Sequence, residues 1–169
     1  MTKADRPRRA LVTGAARGIG AATALRWRRK DTMSSRWDVD ADGLAETARQ
    51  ASELGYCIDT AIMDVRSTED VEKVVGEAQA RAGGGFDLLV NNAGFASIGY
   101  LDEISDEHWS EVLNLNLMSM MRVHARGCAP PCASATTAAS SVFLPLLDIG
   151  AGGREGWPIP PRKQGWLAW

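Results

Sequence analysis

The chain is poor in the residues that mark several functional classes. Three cysteines among 169 residues are too few, and odd in number, for a disulfide framework. His124, Cys128 and Cys132 recur every four residues, but Pro130 and Pro131 would break the helix that put them on one face. A fourth ligand is not evident, so unrelated thiols and no metal are expected. Charge of one sign is not in excess: the formal net charge of −2 implies no general attraction to nucleic acid or to an anionic membrane. No apolar run reaches the roughly 18 residues that a membrane helix needs. Met1 to Arg9 is a polar, basic arm without the apolar segment of a signal peptide, so a cytoplasmic location is the default expectation. Tyrosine is scarce as well, with Tyr56 and Tyr100 only.

What is present is ordinary globular composition, 45 % apolar and 24 % charged, in a length that suits one domain. Residues 10 to 13 form a short apolar run ending in a glycine-rich turn, and Ile19 to Leu25 opens a helix. Residues 41 to 54 place Leu44, Ala48, Ala51 and Leu54 on a helical stripe, with Gly55 as a stop. Tyr56 to Met63 reads as a strand. Ser67, with Asp70 three residues on, then reads as an N-cap for a helix carrying Val71, Val74, Val75 and Ala78. After Gly83-Gly84-Gly85, Phe86 to Val90 reads as a buried strand, and a further helix spans about His108 to Val123. Alternating strands and helices with short turns predict an α/β fold with a parallel sheet covered on both faces. Two stretches break the pattern. Residues 27 to 37 are too charged and polar for the central strand required there. Beyond Arg122 the helical stripe fades into the low-complexity run Ala133 to Ser141 and a Gly/Pro/Trp-rich tail.

Four features carry chemistry. Thr13-Gly14-Ala15-Ala16-Arg17-Gly18-Ile19-Gly20 follows a strand and opens a helix, so its glycines would let a pyrophosphate approach the helix N-terminus. A plain glycine-rich turn is the alternative, and the absence of Gly-Lys-Ser/Thr excludes a mononucleotide P-loop. Asp38, about 18 residues after Gly20, stands where an acidic residue binds adenosine ribose hydroxyls, or is simply a loop carboxylate beside Asp40 and Asp42. Asn91-Asn92-Ala93-Gly94 follows a strand at the end where open sheets bind ligands, or forms an ordinary turn; Asp64-Val65 ends the preceding strand similarly and could reach an adenine. Asn114 and Asn116 sit in the apolar helix Val112 to Leu117, as core polar contacts or as part of an active-site network.

Together these features resemble the short-chain dehydrogenase/reductase family over about residues 8 to 26 and 38 to 122. The resemblance implies a Rossmann-like doubly wound parallel sheet over residues 10–126, atypical at 27–37, between an arm (1–9) and an irregular, incomplete C-terminal part (127–169). It implies an NAD(P)-dependent oxidoreductase acting on an alcohol or carbonyl substrate, with homo-oligomers in keeping with family habit. Gly14, Gly18, Ile19 and Gly20 would hold the pyrophosphate. Asp38 would favour NAD by repelling a 2′-phosphate, while Arg17 pulls toward NADP. Asp64 and Val65 would line the adenine pocket; Asn91, Ala93 and Gly94 would line the cofactor cleft. Asn116 matches the helical asparagine that helps order a proton-relay water. The family's Ser and Tyr-x-x-x-Lys have no counterpart, since neither Tyr56 nor Tyr100 has a lysine four residues on. The chain as written is therefore expected to lack turnover. A non-catalytic dinucleotide-binding module and an unstable product without function are the alternatives.

Both irregular stretches fit a slipped reading frame. A new codon made from the third base of one codon and the first two of the next turns TCN serine into Phe, Leu, Ile or Val. With allowed codons, Trp27 through Trp37 rereads as Val-Ala-Pro-Glu-Gly-Tyr-Asp-Val-Val-Ala-Val, a helix end, a glycine turn and a strand that meets Asp38 in register. Pro131 to Pro145 rereads to include Arg-Val-Val-Ser-Val-Ser-Ser, resembling a fifth strand and the family's serine about 28 positions after Asn116. Part of the tail 161–169 rereads as Ala-Gly-Leu-Ala-Gly-Leu, resembling the segment that comes after the family's lysine.

Overall fold

The computed structural model describes residues 8–26, 32–82, 84–95, 98–99, 104–127 and 148–149. Residues 1–7 of the N-terminal arm, residues 27–31, Tyr100, Cys128, Cys132 and all of the tail but 148–149 lie outside the described residues, while Arg8 and Arg9 of the arm open the first strand. Strands β1 (Arg8–Thr13), β2 (Thr32–Asp38), β3 (Asp59–Ile62) and β4 (Leu88–Val90) form one parallel sheet in the order β3-β2-β1-β4. Helices α1 (Gly18–Arg26), α2 (Ala41–Glu53) and α3 (Thr68–Ala82) connect them, and α4 (Asp106–Leu113) and α5 (Ser119–Gly127) follow. A parallel two-residue pair, β5 (Ile98–Gly99) and β6 (Asp148–Ile149), stands apart.

Side chains alternate across the sheet and both faces are covered, as a parallel sheet requires. Leu11, Leu89, Trp37 and Met63 pack on one side with Val71, Val74, Val75 and Ala78 of α3 and Val123 of α5. Val12, Val90, Ala15 and Ala16 pack on the other with Leu44 of α2. The valine stripe of α3 is thus buried as its spacing predicts. The α2 stripe is shifted: Leu44 and Ala51 are buried, Thr47 joins them by donating to the Ala15 carbonyl at 3.1 Å, and Leu54 is exposed where it caps the helix. β3 is shorter than the expected run from Tyr56. Gly55 leaves the helix at φ +82°, and the Tyr56 hydroxyl donates to the Leu25 carbonyl at 2.7 Å, so this segment joins the sheet only from Asp59. Ser67 caps α3 through Asp70 N–H at 3.1 Å, but the Asp70 carboxylate does not close a capping box. It accepts instead from the Asp64 N–H at 2.8 Å.

The main correction concerns β2. A segment whose polarity argues against a strand runs through the centre of the sheet, pairing with six residues of β1 and four of β3. Backbone ladders on both sides satisfy its peptide groups whatever the side chains. Trp37 is fully buried edge-on against Phe86, with ring centroids 5.5 Å apart, and the Ser35 hydroxyl donates to Asp59 at 3.2 Å. Arg36 is 0 % exposed: its Nη2 donates to the Ala24 carbonyl, whereas Nε and Nη1 have no hydrogen-bond partner among the described residues. Burial pushes its guanidinium down to about 10, against a smaller raising influence of Tyr56. Side-chain polarity thus misled about conformation here, and its energetic cost is visible at Arg36.

Candidate functional site

Chain order makes the site. β1, β2 and β3 step outward to one side, and β4 returns to the other side of β1. The crevice between β1 and β4, at the C-terminal ends of the strands, is the switch point where open α/β sheets bind ligands. A cavity of about 480 Å³ opens there, lined from the β1 turn, the β2 and β3 ends, and the segment after β4.

Thr13 ties the two motifs at this crevice. Its Oγ accepts from the N–H groups of Asn92 and Ala93, both at 3.1 Å, and donates to the Val90 carbonyl at 3.4 Å. The Asn92 side-chain amide donates back to the carbonyls of Thr13 and Gly14 at 3.1 and 3.0 Å. This close approach is what demands glycine. A Cβ on Gly20 would lie 1.9 Å from the Gly14 carbonyl oxygen and 2.5 Å from Asn92 Nδ2, while one on Gly14 would lie 2.8 Å from Ala93 Cα. Gly18 differs, since at φ +58° its missing Cβ faces open space at the start of α1. Unpaired N–H groups and a clear approach are the features of an anion-binding helix start. The cradle therefore fits a pyrophosphate, with protein filling two glycine faces and an opening at the third.

Asp38 lies at the rim of the same cavity. Its Oδ2 accepts from Ala16 N–H at 3.0 Å and its Oδ1 from Asp40 N–H at 3.1 Å, which leaves each oxygen with further acceptor capacity. Asp64 is held by Arg66: the guanidinium forks onto both carboxylate oxygens, and the Arg66 N–H adds a contact at 2.9 Å. Those hydrogen bonds, ahead of the opposing effect of burial, hold the Asp64 carboxyl below its ordinary range.

Asn116 stands in a π-helical segment, Asn114–Met118, between α4 and α5. It is buried, and its side chain clamps one residue, accepting from Phe95 N–H at 3.0 Å and donating to the Phe95 carbonyl at 2.8 Å. Phe95 lines the cavity; Asn116 does not. Gly14, Arg17, Ile19, Asp38, Asp64, Val65, Ala93 and Gly94 line it, whereas Gly18 and Gly20, in the first turn of α1, are not among the lining residues and Asn91 is buried outside the lining. Sequence reasoning passed over Asn92, Trp37, Arg66 and the hub Thr13. Asn92 lay within the Asn-Asn-Ala-Gly motif and Thr13 opened the glycine motif, whereas Arg66 gave no signal beyond its spacing of two from Asp64.

This arrangement coincides with a family match. Residues 8–131 fit the profile of the short chain dehydrogenases, well over half of the chain. The chain belongs to the short-chain dehydrogenase family. Its members are NAD(P)-dependent oxidoreductases. The 3-oxoacyl-[acyl-carrier-protein] reductase of Thermotoga maritima is 32 % identical over 113 residues, 67 % of this chain and 46 % of that protein. A short chain dehydrogenase from Mycobacterium smegmatis superposes with a TM-score of 0.66 at 35 % identity, over 72 % of this chain and 51 % of that one. Actinorhodin polyketide ketoreductase, solved with NADPH, gives 0.67 at 35 % identity over 75 % and 48 %. The chain spans less than half the length of the curated relatives it matches.

Proposed function

We propose that this chain binds an adenine dinucleotide, NAD in preference to NADP, in the crevice between β1 and β4. The observation that carries this reading is the convergence of the Gly14–Gly20 turn, Asp38 and the Asn92–Gly94 segment on one cavity at the sheet's switch point. Gly14, Gly18, Ile19 and Gly20 would hold the pyrophosphate, with Arg17 alongside. The Asp38 carboxylate would accept from the ribose hydroxyls and repel a 2′-phosphate. Val65, Ala93 and Gly94 would shape the walls, and Asn116, through Phe95, would fix the segment after β4. When bound, the dinucleotide supplies hydride chemistry at a substrate alcohol or carbonyl. These 169 residues contain no Tyr-x-x-x-Lys, and the Tyr56 hydroxyl is committed to the Leu25 carbonyl, so binding without turnover is expected of this chain alone. Calorimetric titration tests the reading. NAD should bind in the micromolar range and NADP at least tenfold more weakly, and Asp38→Ala should close that gap. Failure of both dinucleotides to bind would sink it.

A second reading has its own support. The only fully buried arginine among the described residues lies within the irregular stretch 27–37, and frame-shifted rereading turns Ser34, Ser35, Arg36 and Trp37 into Val-Val-Ala-Val. We infer that this stretch, and the one from Pro131, are encoded out of register with the rest. Sequencing the encoding DNA across codons 26 to 38 should reveal a compensating pair of single-base slips, and a clean reading of the written frame would refute the inference.

A further inference from the structure

The glycine turn between β1 and α1 has a held half and an open half. Ala15 and Ala16 are buried, whereas Arg17, Gly18 and Ile19 are exposed. Every backbone polar group of the buried pair has a partner. The Ala15 N–H donates to the Trp37 carbonyl at 3.4 Å, and the Ala16 N–H to Asp38 Oδ2 at 3.0 Å. Both carbonyls are taken by one side chain on α2. The buried Thr47 hydroxyl donates to the Ala15 carbonyl at 3.1 Å and shares its single hydrogen with the Ala16 carbonyl at 3.3 Å. One turn earlier on the same helix, Gly43 lets α2 come close, since a Cβ there would lie 2.7 Å from Ala16 Cβ. A trans peptide sets its C=O and N–H on opposite sides. By drawing the Ala16 carbonyl toward α2, Thr47 therefore turns the Arg17 N–H away from α2. Arg17 belongs to the open half, and with Ile19 it lines the crevice.

We propose that Thr47 is a positioning residue for the pyrophosphate of the dinucleotide. Without touching the ligand, its hydroxyl fixes two successive peptide planes of the turn and sets the direction of the Arg17 N–H before any anion arrives. Donors held in place in advance bind an anion more tightly than donors that must first turn, because their ordering is already complete in the folded chain. The hold is independent of Asp38. Asp38 accepts N–H groups, from Ala16 through Oδ2 and from Asp40 through Oδ1, whereas Thr47 donates to carbonyls. Removing the hydroxyl therefore loosens the turn while the ribose-side carboxylate keeps both of its backbone contacts. The inference rests on the cofactor reading above and specifies what orders its anion-binding part.

Titration of the full chain with NAD by calorimetry, and with adenosine by NMR, tests this without requiring turnover. Thr47→Val keeps the shape and removes the donor, so NAD should bind about tenfold more weakly. Adenosine carries no phosphate, and its Kd should stay within about twofold. Thr47→Ser returns the hydroxyl and should bring NAD binding back to within about twofold of the unaltered chain. If the valine variant has no cooperative melt, Thr47→Cys takes its place: it is close in volume with only a weak donor, and NAD should bind it about fivefold more weakly. NAD binding to that variant within about twofold of the unaltered chain would overturn this inference alone. Equal weakening of NAD and adenosine, the mark of a general loosening, would do the same, as would a serine variant that fails to recover. No binding of NAD to the unaltered chain would overturn the cofactor reading and this inference together.

Discussion

β1 has two parallel neighbours of very different character. β4 is Leu88-Leu89-Val90, an apolar strand whose far end is sewn to β1 through Thr13 and Asn92. β2 is Thr-Met-Ser-Ser-Arg-Trp-Asp, with a buried guanidinium in its middle, and it ends in Asp38, tied to the glycine turn through Ala16. Both deliver a site residue to the same crevice. In a parallel sheet, backbone pairing and chain length place the strand end, while the strand body decides how favourably it is held there. Site geometry and stability are therefore separable on the β2 side and joined on the β4 side.

Substitutions can break or sharpen that contrast. The largest effect is expected at the β1–β4 seam. Gly20→Ala forces a Cβ into the Gly14 carbonyl and should cost about 3 kcal/mol in urea unfolding while abolishing dinucleotide binding. Thr13→Val removes the acceptor for two N–H groups and should cost about 2 kcal/mol, again with weaker binding. On the β2 side the sign reverses. Arg36→Met removes a buried, half-partnered charge and should stabilise by about 1 kcal/mol with binding unchanged. Folding lowers the Arg36 pKa, so the cost of its charge is present in full at neutral pH and eases only as pH rises through about 10; the advantage of Arg36→Met should narrow there. Ser35→Ala should change stability least, by about 0.5 kcal/mol, since it loses one hydrogen bond to Asp59. Loss of binding by Arg36→Met, with the fold retained, would erase the distinction between the two sides.

The sequence showed the site better than the strand that carries half of it. The glycine turn, Asp38 and the Asn-Asn-Ala-Gly segment were legible because the close backbone approach at the end of β1 leaves little choice of residue there. The helices α2 and α3 were legible from their stripes. β2 was not, because its pairing depends on neighbours distant in sequence rather than on its own polarity. The Arg66 fork was not legible either: a charged pair two residues apart in a loop has no periodicity to reveal it. The reach of Asp70 back to Asp64, in place of a closed capping box, likewise depends on how the β3–α3 turn folds in space.

The clamp of Asn116 on Phe95 has a consequence in time. A loop amide ordinarily exchanges its hydrogen as fast as the loop breathes. The Phe95 amide is bonded to a side chain rooted in a helix and can exchange only when that helix gives way or the asparagine turns aside. The cavity wall after β4 therefore inherits the slow clock of the helix, and Phe95 should exchange in step with Val112 and Val123 rather than with a free loop.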